Sequence, residues 1–325
     1  MKSGFAALRA VIAAALVTVC GFASAQTWPT KPIRVIIDTT TGSTNDIWSR
    51  RYAQRIGEVL QQPIVVDNRP GASGTIAAEA LAKSPADGYT LYYGGMTALI
   101  TYPASGGTVR YDPVRDFVPI GMGTMGYPMV VVSPKLGVRT LAELVERGRA
   151  KPDELTCGTG GHASNQHFAC AQFARAIGVK IRTIAYKGGA AALLDAANGE
   201  ISMAIGWSSE LEPFTSAGRL VAVTALAPSR QPKYPDVPTV AEAGFTPVEF
   251  SAFSGFFAPA GTPPEIVDRL NAEILKAAQR SDMKEWMDTN GGIYMPLKAA
   301  DFTTFFRKEQ AKWKRMSEET GIRVE

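Results

Sequence analysis

From Ile33 onward, short apolar runs alternate with amphipathic helical patterns, and this alternation most constrains what the chain can fold into. Ile33–Asp38 is a nearly continuous apolar run that ends in an acid, as a strand covered on both faces requires. A helix from about Thr44 to Gln61 follows, with Trp48, Tyr52, Ile56 and Val59 predicted on one face. Strand Ile64–Asp67, a turn from Asn68 to Gly74, a helix through Ala82 and strand Tyr89–Tyr93 complete a β-α-β-α-β series. Such connections join parallel strands, so the expected class is α/β.

A second series starts at strand Met129–Ser133. It continues as helix Thr140–Arg149, opened by a Thr140/Glu143 capping box, strand Leu155–Gly158 and helix Ser164–Gly178. Strand Arg182–Ala185, helix Ala190–Asn198, strand Met203–Gly206, helix Ser208–Ala217 and strand Leu220–Leu226 follow. Pro228 to Pro238 reads as surface loop. The third part holds strand-like Phe250–Ala258, helix Glu265–Ser281 and a long helix from about Lys298 to Gly321. Phe302, Phe305, Phe306 and Trp313 form an apolar stripe on that last helix, which packs on the core.

Residues 1–25 read as an export signal, cleaved after Ala25: Lys2 and Arg9 precede the short apolar run Val11–Phe22 and the small residues Ala23-Ser24-Ala25. The expected location is therefore periplasmic. The remaining ~300 residues suit two lobes better than one core. Loss of Lys2 and Arg9 takes the formal net charge from +4 to +2. With no basic run or basic-aromatic stripe, nucleic acid is not an expected partner. Cys20 leaves with the signal, and Cys157 and Cys170 read as small buried apolar residues rather than a disulfide.

Motifs for turnover are missing. Gly42-Ser43-Thr44 lacks the dinucleotide spacing, and no Gly-Lys pair exists for a phosphate-cradling loop. Gly206-Trp207-Ser208-Ser209-Glu210 fails as a nucleophile elbow at its last position. The two histidines, His162 and His167, are five apart and complete no zinc set. No enzyme, metal or cofactor is expected.

What recurs is a strand, a polar loop and a helix start. Asp38-Thr39-Thr40-Thr41-Gly42-Ser43-Thr44-Asn45-Asp46 is the first case. Cys157-Gly158-Thr159-Gly160-Gly161-His162-Ala163-Ser164-Asn165 is the second, Gly206-Trp207-Ser208-Ser209 the third and Gly94-Gly95-Met96-Thr97 the fourth. A helix N-terminus carries roughly half a positive charge and free N–H groups, so it binds anions without Lys or Arg. Ligands in open α/β sheets sit outside the carboxyl ends of strands. Ser, Thr and Asn at these ends also cap helices, so the inference rests on several loops sharing one topology. The candidate ligand-binding residues are Thr39, Thr40, Ser43, Thr44, Asn45 and Thr97 from the first series. Thr159, His162, Ser164, Asn165, Trp207, Ser208 and Ser209 come from the second, with Trp207 free to stack on a flat ligand or to pack in the core.

The chain resembles the Bug family of periplasmic receptors of tripartite tricarboxylate transporters. The resemblance rests on Trp28-Pro29-Thr30-Lys31-Pro32-Ile33-Arg34, Val65-Val66-Asp67-Asn68-Arg69-Pro70-Gly71-Ala72-Ser73-Gly74 and Ala86-Asp87-Gly88-Tyr89-Thr90-Leu91. It extends through Tyr111-Asp112-Pro113-Val114-Arg115-Asp116-Phe117, Tyr186-Lys187-Gly188, the run Pro235 to Gly244 and Ala258-Pro259-Ala260-Gly261-Thr262-Pro263. It implies a two-lobed type II periplasmic-binding-protein fold, each lobe a mixed, mostly parallel sheet flanked by helices. Lobe 1 would take residues 26–125 plus 246–325, and lobe 2 residues 126–245. Thr39–Asp46 and Gly158–Asn165 would form a pincer on one carboxyl group.

Two departures bear on the ligand. The glycine-rich first loop of the family is replaced here by Thr and Ser, which adds donors and stiffens the backbone. A common Phe-Asp pair is Ile205-Gly206 here, which removes a carboxylate able to hold an ammonium group and argues against an amino-acid ligand. The expected function is delivery of a small organic carboxylate to membrane transporter subunits by a monomeric receptor. Terephthalate, a C4-dicarboxylate and citrate are the candidates. A sensor that presents the same ligand to a membrane signalling partner is the alternative, and an exported hydrolase on this scaffold is a weaker one.

Overall fold

The computed structural model describes residues 28–324, so the expected signal segment lies outside the described residues. Lys31–Glu325 forms one compact unit containing two sheets. The first sheet has the order β11-β4-β10-β3-β1-β2. Its strands are β1 (Ile33–Ile37), β2 (Ile64–Asn68), β3 (Thr90–Gly95), β4 (Phe117–Gly126), β10 (Ala252–Pro259) and β11 (Gly292–Ile293). The second has the order β7-β6-β8-β5-β9, from β5 (Met129–Val132), β6 (Thr156–Thr159), β7 (Arg182–Ala185), β8 (Met203–Gly206) and β9 (Val221–Ala225). The chain leaves the first sheet after Gly126, enters the second at Met129 and returns at Ala252. This is the two-lobed α/β fold.

The expectation of mostly parallel pairing is corrected. β1 pairs parallel with β2 and β3, and β6 with β7 and β8. β10 runs antiparallel to β3 and β4, β11 to β4, and β5 to β8 and β9. Every antiparallel pair includes a strand next to one of the two crossings, where the chain changes sheets instead of returning through a helix.

The flanking helices are α1 (Thr44–Leu60), α2 (Thr75–Ala82), α3 (Leu141–Ala150), α4 (Asn165–Ile177), α5 (Gly189–Asn198), α6 (Ser208–Thr215), α7 (Pro264–Gln279), α8 (Ser281–Thr289) and α9 (Ala299–Thr320). In α1 the buried stripe is Trp48, Tyr52, Ile56 and Leu60, and Val59 is 46% exposed. A four-residue step from Ile56 carries the stripe to Leu60 instead of Val59. Thr140 and Glu143 make the expected capping box on α3. Phe302, Phe306 and Trp313 of α9 are buried, and Phe305 packs half-buried against the same core. Cys157 and Cys170 are buried free thiols, and burial pushes the Cys157 thiol up.

Three elements have no counterpart in the sequence reading: β4, α8 and the two-residue β11 that pairs with β4. β4 contains Pro119, Gly121 and Gly123, which argue against a strand, yet it pairs with β10 along its length. Gly123 is required by close approach: a Cβ there would lie 2.5 Å from the Tyr93 ring. α8 follows α7 after extended backbone at Arg280 and turns Trp286 edge-on to Trp48, with ring centres 4.4 Å apart.

Candidate functional site

The carboxyl ends of β1, β3, β6 and β8 open onto one cavity of about 320 Å³ between the two sheets. Thr39, Ser43, Thr44, Asn45 and Thr97 line it from the first lobe. His162, Ser164, Asn165, Trp207 and Ser209 line it from the second. Trp48, Met96, Met125, Trp207 and Phe253 give it apolar walls. Three of the expected residues are not brought to the wall. Thr159 is buried and its hydroxyl donates to the Gly161 carbonyl at 3.2 Å. Ser208 is buried at the start of α6, and Thr40 faces Gly188 instead.

The loop after β1 is held by its own side chains. Ser43 caps α1, accepting from Asp46 N at 3.3 Å and donating to Thr39 Oγ1 at 2.6 Å. Asp46 accepts from Gly42 N, Arg50 Nε and Asn68 Nδ2 at 2.9–3.0 Å. Burial raises the Asp46 carboxyl, but these donors outweigh it and hold the group below its ordinary range. Asn45 accepts from Ser254 Oγ at 2.5 Å and donates to Asp38 Oδ1 at 3.2 Å, which ties the loop to β10 and β1. These bonds hold Thr39, Ser43 and Asn45 of this loop in the cavity wall.

The second jaw is built alike. Ser164 caps α4, accepting from His167 N at 3.2 Å. Asn165 N lies 3.5 Å from Thr97 Oγ1 across the cleft. Ser73 Oγ donates to the His162 carbonyl at 3.0 Å, and Thr101 Oγ1 to the Ala163 carbonyl at 2.8 Å, so the jaws also meet through backbone. His162 Nε2 donates to the Arg323 carbonyl at 2.9 Å. Burial pulls His167 down to about 4, so its neutral ring accepts from Ala163 N at 3.1 Å and serves the loop.

Two carboxyl groups in the cavity wall were not among the candidates. Asp38 ends β1, is 9% exposed and accepts from the Tyr92 hydroxyl. Burial raises its carboxyl more than Tyr92 and Asn45 lower it. Glu210 is 5% exposed and stands in the first turn of α6. Its Oε1 accepts from Trp207 N at 3.1 Å and its Oε2 from Thr44 N at 3.1 Å, so one carboxyl joins helix starts from both lobes. Burial pushes Glu210 up to about 7. The capping-box position three residues after Trp207 was the available signal for the first bond. The second is purely tertiary. Lys187 is the one Lys or Arg in the lining, and it is exposed.

Ser209 Oγ is buried and has no hydrogen-bond partner among the described residues. A polar wall with donors at two helix starts, apolar patches and an unsatisfied hydroxyl fits a small polar solute with an apolar body.

A sequence model described as "Tripartite tricarboxylate transporter family receptor" matches residues 48–322. The chain is similar to Protein BugT of Bordetella pertussis, 31% identical over 303 residues that cover 93% of each chain. It also resembles the solved structure of an R. palustris protein with adipate, at a TM-score of 0.87 and 31% identity, covering 91% of this chain and 99% of that one. MatC from Rhodopseudomonas palustris with bound malate matches at a TM-score of 0.81 and 26% identity, covering 89% and 99%.

Proposed function

We propose, because this chain belongs to the tripartite tricarboxylate transporter receptor family, that it is a periplasmic solute receptor whose cavity takes a small organic carboxylate for delivery to membrane transporter subunits. The observation that carries the reading is the meeting of two capped helix starts, at Ser43 and Ser164, on one cavity between two lobes. Such starts stabilise anions through N–H groups and the helix dipole. Adipate and malate, named with the two solved relatives, support the ligand class. Trp207 is half-buried in the cavity wall, where an indole can stack on a flat ligand, which keeps terephthalate beside C4-dicarboxylates and citrate as candidates. The protein binds and releases its solute unchanged, acts as a monomer and loses its first 25 residues on export.

A thermal-shift screen against carboxylates, including these acids, tests the reading. A ligand at about 100 times its Kd stabilises by about 2.7 kcal/mol, a clear rise in Tm. Ser164→Ala and Ser43→Ala should weaken the best ligand. Unchanged affinity in both variants would sink the two-jawed site, and turnover of any bound acid would replace the receptor reading with an enzyme.

A further inference from the structure

The cavity is asymmetric in charge. At α1, the N–H of Thr44 is already taken by the protein's own Glu210, 3.1 Å away. The same carboxyl holds Trp207 N, and Asp38 lines the wall as a second buried acid. At α4 no carboxyl is part of the lining; Ser164, Asn165 and Thr97 stand there. Ser209, adjacent to Glu210, and Thr44 each bring to the lining a buried hydroxyl that has no partner among the described residues. A ligand carboxylate placed at α4 would turn its far end toward the two buried carboxyls, beside the Ser209 and Thr44 hydroxyls, which can donate or accept. A second carboxylate at that end would lie beside two buried acids, with only exposed Lys187 to offset them.

We infer that Glu210 is a specificity-determining residue, which makes the preferred ligand a monocarboxylate with a hydrogen-bond donor, hydroxyl or ammonium, at its other end. This rests on the carboxylate-receptor reading and narrows it. It also reverses the expectation that loss of the Phe-Asp pair leaves no carboxylate for an ammonium group: the acid comes from the helix start instead of the strand end.

Isothermal titration calorimetry with length-matched triples tests the inference. One set is γ-aminobutyrate, γ-hydroxybutyrate and succinate. A longer set is ε-aminocaproate, ε-hydroxycaproate and adipate, and a flat set is p-(aminomethyl)benzoate, p-(hydroxymethyl)benzoate and terephthalate. In the set that binds best, a donor-ended member should bind the wild type at least about tenfold more tightly than the dicarboxylate. Glu210→Gln should shrink that ratio about tenfold, and Ser164→Ala should weaken all members alike. The amine and hydroxyl arms identify which donor is used. A dicarboxylate that binds the wild type as well as its donor-ended partners overturns the role of Glu210 and leaves the receptor reading standing. So does a ratio that Glu210→Gln leaves unchanged. Failure of every acid in the three sets while citrate or malate binds overturns the role of Glu210 alone, and failure of those two as well overturns both.

Discussion

Replacing Glu210 by Gln should remove a pH dependence of stability that its buried carboxyl supplies. In the folded protein the Glu210 carboxyl lies near 7, against an ordinary 4.5, because burial disfavours its charge. The folded state then binds the proton more tightly than the unfolded state. The contribution is fully present below 4.5 and is lost as pH rises through 7. With a tenfold change in proton affinity worth about 1.4 kcal/mol, the wild type should lose about 2–3 kcal/mol between pH 5 and pH 8 through this group. Gln offers one acceptor where Glu offers two, so either Trp207 N or Thr44 N goes unpaired. That costs roughly 1–2 kcal/mol at every pH and shifts the whole curve without tilting it. The readout is therefore the difference between variant and wild type. Asp38, raised in the same direction, and Asp46, lowered, are common to both proteins and cancel. Thermal unfolding followed by circular dichroism at several pH values between 5 and 8 measures it, at roughly 2 °C per kcal/mol. The variant should gain about 4–6 °C on the wild type across that range. Parallel curves would refute the reasoning, since they would mean that the buried carboxyl titrates as it does in water.

Ser164→Ala and Thr140→Ala each remove a helix cap and should each cost about 1 kcal/mol in urea unfolding, but only Ser164→Ala should also weaken carboxylate binding, because Thr140 lies outside the cavity lining. Gly74→Ala should cost at least about 1–2 kcal/mol, because φ there is +84° and a Cβ would sit 2.9 Å from Asp38 Oδ2; an unchanged urea midpoint would contradict the observed backbone. Trp313→Ala should cost about 3–5 kcal/mol by the same measurement, since the ring is 1% exposed and meets Phe168 and Phe250 edge-on. Cys157 and Cys170 should resist a thiol reagent in the native protein and react together on unfolding, and rapid native labelling would place them outside the core.

Elements with a clear period were legible in the sequence because local pattern and tertiary environment agree there. β1 is apolar and buried except at half-buried Arg34, and α4 begins at the Ser164 cap and ends at Gly178 in the left-handed region. β4 was not legible, because its glycines satisfy the ring of Tyr93 and the α7 side chains rather than any strand propensity. The α1 stripe was legible to within one residue, with Leu60 in the place expected for Val59. Most cavity residues follow from one topological rule, that helix starts after parallel strands face the ligand. Glu210 escaped it because its meaning lies in a bond to a residue 166 positions away. Thr159 and Ser208 fit the local pattern and yet stay out of the cavity lining, Thr159 turning its hydroxyl to the Gly161 carbonyl, since a polar loop has two sides and sequence does not say which one faces in.

The contact between Trp313 of α9 and Phe168 of α4, with ring centres 5.3 Å apart, joins helices that flank different sheets. A motion of the lobes that kept these rings together would be a rotation about that point, with displacement growing with distance from it, and sliding the rings apart would expose two aromatic faces to water. The aromatic stripe that anchors the last helix therefore also limits the paths by which the jaws can part. A smaller side chain at position 313 should loosen the jaws as well as the core.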